Sequence, residues 1–225
     1  MRKRPLLLGF LATTLALEGG VVSSPLERPP SGVWSDGCPC AVPCPCWRGG
    51  KANVPKCLNV QVYAPEGKSR NTSGDSPVFV LVGTPTTPYD SPSAFALYID
   101  KRMPESTVGQ MRDFFEENYG VQPGTEKVVT IKTLLRPELQ VVTIPGLLRY
   151  EVHFLSNDVD PGVRPYLYPW LRDPNQWTTR EVRYKPGGGN TDRYSGTNSL
   201  VATFDLGKPE LSQSRTQATC AHHTP

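Results

Sequence analysis

The sequence predicts an α+β domain: a mostly antiparallel sheet of about eight strands, one main helix and an irregular cysteine-rich N-terminal segment. Three observations carry this reading. The 225-residue chain holds 24 prolines and 20 glycines, which favours short elements joined by ordered turns. Several short runs alternate apolar and polar residues, or are continuously apolar, as strands are. A helical period recurs in one stretch only. With 37 % hydrophobic and 20 % charged residues, the composition suits a folded domain.

The N-terminus stands apart from that domain. "MRKR" is a basic start, followed by the 13-residue apolar run "PLLLGFLATTLAL" and then small residues. The run is short for a membrane span and has the layout of a secretory signal peptide, expected over residues 1–24. The mature protein is therefore expected to be exported, periplasmic or secreted, with no membrane span. The formal charge of +3 falls to +1 once those residues are removed, with twenty-one basic against twenty acidic residues. A near-neutral chain gives no reason to propose nucleic acid or a membrane surface as partner. A proline-rich spacer follows over 25–33, then a single domain over 34–208 and a polar tail over 209–225.

Within the domain, "CLNVQVY", "PVFVLVG" and "AFALYID" read as strands. "PESTVGQMRDFFEENYG" is the helix: Ser106 or Thr107 can cap it, Val108, Met111, Phe114 and Phe115 share a face, and Gly120 stands where a helix ends. Glu116 and Glu117 read as its solvated face rather than as an acid pair. "KVVTIKTLL", "LQVVTIPG", "LLRYEVHFL" and "SLVATFDL" complete the strands. Residues 156–198 are rich in turn signals. Asn157, Asp158, Asp160 and Gly162 loosely match a calcium loop, but its twelfth position is Tyr168 instead of glutamate.

The chemistry-bearing residues are sulfurs. "CPCAVPCPC" sets Cys38, Cys40, Cys44 and Cys46 as two Cys-Pro-Cys pairs, with Cys57 after ten intervening residues and Cys220 in the tail. Proline keeps each pair out of a helix, and a turn around it can bring both sulfurs to one centre. Such thiolates select Cu(I) or Zn(II) over hard cations. The spacing differs from the Cys-x-x-Cys pairs of zinc fingers. Arg48, Lys51 and Lys56 lie nearby in sequence and favour the thiolate form. "CAHH" adds Cys220, His222 and His223 as optional further ligands. His153, set among apolar neighbours in "YEVHFL", reads as a half-buried strand residue.

Three functions stay open on these residues. The first is an exported soft-metal protein that binds or delivers Cu(I) or Zn through Cys38, Cys40, Cys44, Cys46 and Cys57, with a metal-handling protein as its partner. In the second, six cysteines pair as three disulfides that brace a structural or interaction module. The third is a thiol–disulfide oxidoreductase with Cys44 or Cys46 as nucleophile. That chemistry ordinarily uses Cys-x-x-Cys at the start of a helix, and no helical pattern follows here. Hydrolases with a histidine base are disfavoured, because no Ser or Cys signature surrounds His153.

Trp34 ahead of "CPCAVPCPCW", then "FALYIDKRMPESTVGQMRDFFEENYG", "IPG" at 144–146 and "SGTNSLVATFDL" occur in this order. Together they resemble the uncharacterised bacterial domain-of-unknown-function family numbered thirteen twenty-six, over roughly residues 34–204. The chain differs from the family pattern in its signal peptide, in the proline inside the first cysteine pair and in lacking a Gly/Ala-rich run after the helix. The resemblance therefore implies a divergent, exported relative. The family has no established activity. It implies only that a metal site would fall on Cys38, Cys40, Cys44, Cys46 and Cys57.

Overall fold

The computed structural model describes residues 29–48, 50, 52–65, 75–83, 95–159, 168–187 and 189–207. The expected signal peptide, Lys51, Asp160, Gly162, Cys220, His222 and His223 lie outside them. The described elements are β1 (Ser31–Gly37), a 3-10 turn (Pro45–Arg48), β2 (Asn59–Ala64), β3 (Phe79–Gly83), β4 (Phe95–Asp100), α1 (Glu105–Tyr119), β5 (Lys127–Val129), β6 (Lys132–Arg136), β7 (Leu139–Ile144), β8 (Leu148–Ser156), β9 (Leu171–Tyr184), β10 (Asp192–Tyr194) and β11 (Thr197–Asp205).

The α+β expectation of an antiparallel sheet with about eight strands is corrected. Among the described residues the protein is mostly sheet, 49 % strand and 13 % helical, with eleven strands in a curled mixed half-barrel and one α-helix. The order is β5-β4-β3-β2-β1-β11-β9-β8-β7-β6, with β10 added beside β9; β4 and β5 pair in parallel. Three strands hide behind turn-like residues. β1 is "SGVWSDG" and begins inside the stretch expected to be a solvated spacer. β9 carries Asp173 and Pro174, which fall where its ladder with β11 slips between Val201 and Thr203. Asp173 takes a positive φ of 45°, so the break absorbs the proline instead of ending the strand. β10 is three residues long. In addition, "KVVTIKTLL" divides into β5 and β6.

That division shapes the molecule. β5 and β6 form opposite edges of the sheet yet are joined through Thr130 and Ile131 alone. A dipeptide bridges only about 10 Å, so the sheet must curl until its edges nearly meet. Arg102 ties the seam: its guanidinium reaches Asp75 and Asp100 at 2.6 Å each and the Ile131 carbonyl at 3.0 Å. Thr133 on β6 donates to Asp75 at 2.7 Å.

Alternation along the strands then builds two cores. Val33, Val60, Val62, Val80, Val82, Tyr98, Tyr150, Trp177 and Val201 fill the concave interior. The Tyr98 and Tyr184 hydroxyls meet there at 2.9 Å, although β4 and β9 are far apart in strand order. Trp34, Tyr63, Phe79, Leu81, Leu97, Ile99, Leu200 and Phe204 point to the convex face. α1 covers part of that face with Met111, Phe114, Phe115 and Tyr119. It starts after Pro104 with no side-chain cap, where Ser106 or Thr107 had been expected. It ends as the sequence suggests, with Gly120 at φ 63° and its N–H on the Glu116 carbonyl. The cysteine segment covers the rest.

Candidate metal centre

β1 lies in the middle of the sheet between β2 and β11 and delivers the cysteines to the convex face. Its alternate residues Trp34 and Asp36 already face that side, and Cys38 continues the series. Cys38 N donates to the Asn198 carbonyl at 3.0 Å, and Asn198 N donates to the Cys40 carbonyl at 2.9 Å. The first Cys-Pro-Cys thus stays docked on β11. Pro45 opens the 3-10 turn, which its fixed φ suits, and the turn carries Cys46 and Trp47 inward. Asn198 Oδ1 accepts the Cys44 N–H at 3.1 Å, so one residue holds both cysteine pairs in place. Gln176 Nε2 donates to the same oxygen at 3.1 Å.

Cys38, Cys40 and Cys44 come together with their sulfurs all within 4.8 Å of one another. The Sγ atoms of Cys38 and Cys44 are 3.6 Å apart. Cys46 and Cys57 are buried in the same apolar core, and none of the five cysteines has a disulfide at bonding distance. Hydrogen bonds from Cys38 first, then from Cys44, Cys46 and Cys57, hold Cys40 far below the ordinary thiol range. Cys38 is pushed up by the same contacts, its bond to Cys40 first. These hydrogen bonds favour the charged form of Cys40 and the neutral form of Cys38. A soft cation arriving there would replace those protons.

Burial also bears on the other functions. A nucleophilic cysteine has to reach a substrate disulfide, yet Cys44 and Cys46 are only 2 % and 3 % exposed. Of the cations expected near the sulfurs, Lys56 pairs with Asp192 at 2.9 Å. His153 lies on β8 and bonds Glu151 at 2.9 Å, three strands from β1. Glu116 and Glu117 are exposed on α1.

Asp36 and Asn198 are the important residues that the sequence reading passed over. "WSDG" looks like a turn, so nothing local marks Asp36 as buried. Asn198 had one signal, its place in the "SGTNSL" segment quoted for the family resemblance. Asp36 is fully buried beneath the cluster. One of its oxygens accepts the Leu200 N–H at 2.7 Å; the other accepts Trp47 Nε1 at 3.2 Å and Asn59 Nδ2 at 3.3 Å.

These donors favour the carboxylate, but burial outweighs them and pushes Asp36 up to about 7. Asn59 Oδ1 is buried without a partner, so a half-turn of that amide would give protonated Asp36 an acceptor. Because the folded state holds this proton more tightly, the stability from Asp36 is full below about 4 and is lost as the pH rises to about 7. Cys40, whose pKa is depressed, contributes in the opposite sense. The Asp36 share is therefore read as the difference between wild-type and Asp36→Asn urea midpoints. That difference is expected to change by a few kcal/mol between pH 4 and 7, and a pH-independent difference would contradict the assignment.

No family model, no curated protein and no solved structure matches the chain. Among the described residues, no helix is long and apolar enough to cross a membrane.

Proposed function

We propose that the protein is an exported binder of a soft metal ion, Cu(I) ahead of Zn(II), which it stores or hands to a metal-handling partner. One observation carries this reading: three buried cysteine sulfurs within 4.8 Å of one another. Cys38, Cys40 and Cys44 are the primary donors. A trigonal set of thiolates suits Cu(I), whereas a structural zinc site wants four ligands. The resemblance to the thirteen twenty-six family points to the same segment. Ala41, Val42 and Pro43 form an exposed loop between the two cysteine pairs, which gives a partner a place to dock beside the metal.

The test is the state of the protein purified anaerobically from its host, by intact mass, thiol titration and metal analysis. Free thiols with about one or more equivalents of copper or zinc support the reading. Three disulfides and no metal would establish the braced module instead, and the 3.6 Å approach of Cys38 and Cys44 is the feature that favours it.

A further inference from the structure

We propose that Cys38 and Cys44 form a reversible disulfide that empties the metal site, so that a hydroperoxide drives release of the ion. This rests on the metal-binding reading above and adds its regulation.

The geometry singles out this pair. Within the triad of sulfurs, Cys38 Sγ and Cys44 Sγ touch at 3.6 Å. An S–S bond needs about 2.05 Å, so the gap to close is small. Both backbones are anchored side by side: Cys38 N donates to the Asn198 carbonyl at 3.0 Å and Cys44 N to Asn198 Oδ1 at 3.1 Å. One residue of β11 therefore holds the two cysteines together before any bond joins them. Ala41, Val42 and Pro43, which lead into Cys44, are exposed, so this stretch can follow the Cys44 sulfur without opening the core. Cys40 is held differently, by Asn198 N on its carbonyl at 2.9 Å, and Pro39 stiffens its link to Cys38.

Metal and disulfide compete for the same electrons. A thiolate lends its charge and lone pairs to a soft cation, whereas a disulfide sulfur is neutral and a poor ligand. Once Cys38 and Cys44 are joined, Cys40 is the one donor of the triad that remains. A bound ion in turn protects the pair from oxidation.

The oxidant has to be small, because Cys38 and Cys44 are each only 2 % exposed. Hydrogen peroxide meets that limit. One cysteine of the pair, as thiolate, attacks a peroxide oxygen; the O–O bond breaks, a sulfenic acid forms and hydroxide leaves. The other sulfur then attacks the sulfenic sulfur, forming the S–S bond and expelling water. In sum, two thiols give up two electrons and two protons, and the peroxide is reduced to two waters.

The experiment uses the full chain with Cys220→Ser, His222→Ala and His223→Ala, so that the tail adds neither a thiol nor a ligand. Reduced, metal-free protein is treated anaerobically with one equivalent of hydrogen peroxide, and catalase then destroys any excess. Intact mass, peptide mapping and Cu(I) competition against a chromophoric chelator follow, with folding checked by circular dichroism. The protein is expected to lose two hydrogens and to link Cys38 to Cys44. Its Cu(I) affinity should fall about a thousandfold or more, and dithiothreitol, once removed, should have restored both mass and affinity. Cys40→Ser should still form the bond, and Cys44→Ser should not link Cys38.

No bond, a bond that joins other cysteines, or an oxidised protein that binds Cu(I) as tightly as the reduced one would overturn the switch and leave the metal site intact. Reduced protein that binds no Cu(I) would overturn the metal reading and the switch with it.

Discussion

Cys40→Ser is expected to abolish tight metal binding, whereas Cys57→Ser keeps the ion held by Cys38, Cys40 and Cys44. Cys40 Sγ lies within 4.8 Å of the Cys38 and Cys44 sulfurs, and hydrogen bonds to it favour its charged form. A serine hydroxyl stays protonated at neutral pH and is a hard, weak ligand for a soft cation. Thiolate sites for zinc bind with roughly 10–16 kcal/mol. Loss of one donor of three is then worth about 4 kcal/mol, roughly a thousandfold in Kd. Competition with a chromophoric chelator reads this directly. A change of tenfold or less would show that Cys40 is not a ligand. The substitution removes little volume, so the variant should fold, and unchanged tryptophan fluorescence of the metal-free protein would confirm it.

Gly32→Ala is expected to destabilise the fold by about 3 kcal/mol, a large share of the ~5–15 kcal/mol that holds a typical domain together. An added Cβ at Gly32 would stand 2.0 Å from the Ala64 carbonyl oxygen, and that neighbour is backbone and cannot swing aside. The start of β1 would have to part from the end of β2, where Val33 pairs with Ala64. Trp34 follows directly and is fully buried, with Nε1 donating to Gln61 Oε1 at 3.1 Å, so the strain enters at a central packing point. Gly109→Ala is the control: its Cβ meets nothing within 4 Å, and α1 should gain about 0.5–1 kcal/mol. Urea unfolding of the three proteins decides the matter, and equal midpoints for wild type and Gly32→Ala would refute the close-approach role.

Much of the fold was legible wherever pattern and position agree. β2, β3, β4, β7, β8 and β11 follow apolar runs visible in the sequence, and α1 follows its helical face to Gly120. The strands that escaped are those whose local chemistry argues for turns. β1 reads "SGVWSDG" because it is central and crowded: glycine is needed against Ala64, and Ser35 and Asp36 are buried by neighbours distant in sequence. β9 keeps Pro174 because its ladder is already irregular at that point. In both, tertiary packing overrides propensity.

The sequence by itself determined the donor set: the number of thiols, their pairing around proline and the softness of any cation they would hold. Convergence of the sulfurs depended on the tertiary structure. Cys44 is positioned by Asn198, which is 154 residues away in the chain, and Asp36 meets Leu200 across 164. Such contacts exist only after β1 has paired with β11 and the sheet has curled, burying on its convex face a segment that reads locally as an irregular loop. Only that packing brings the Cys38, Cys40 and Cys44 sulfurs within 4.8 Å of one another, where hydrogen bonds between them favour the charged form of Cys40 against the cost of burial.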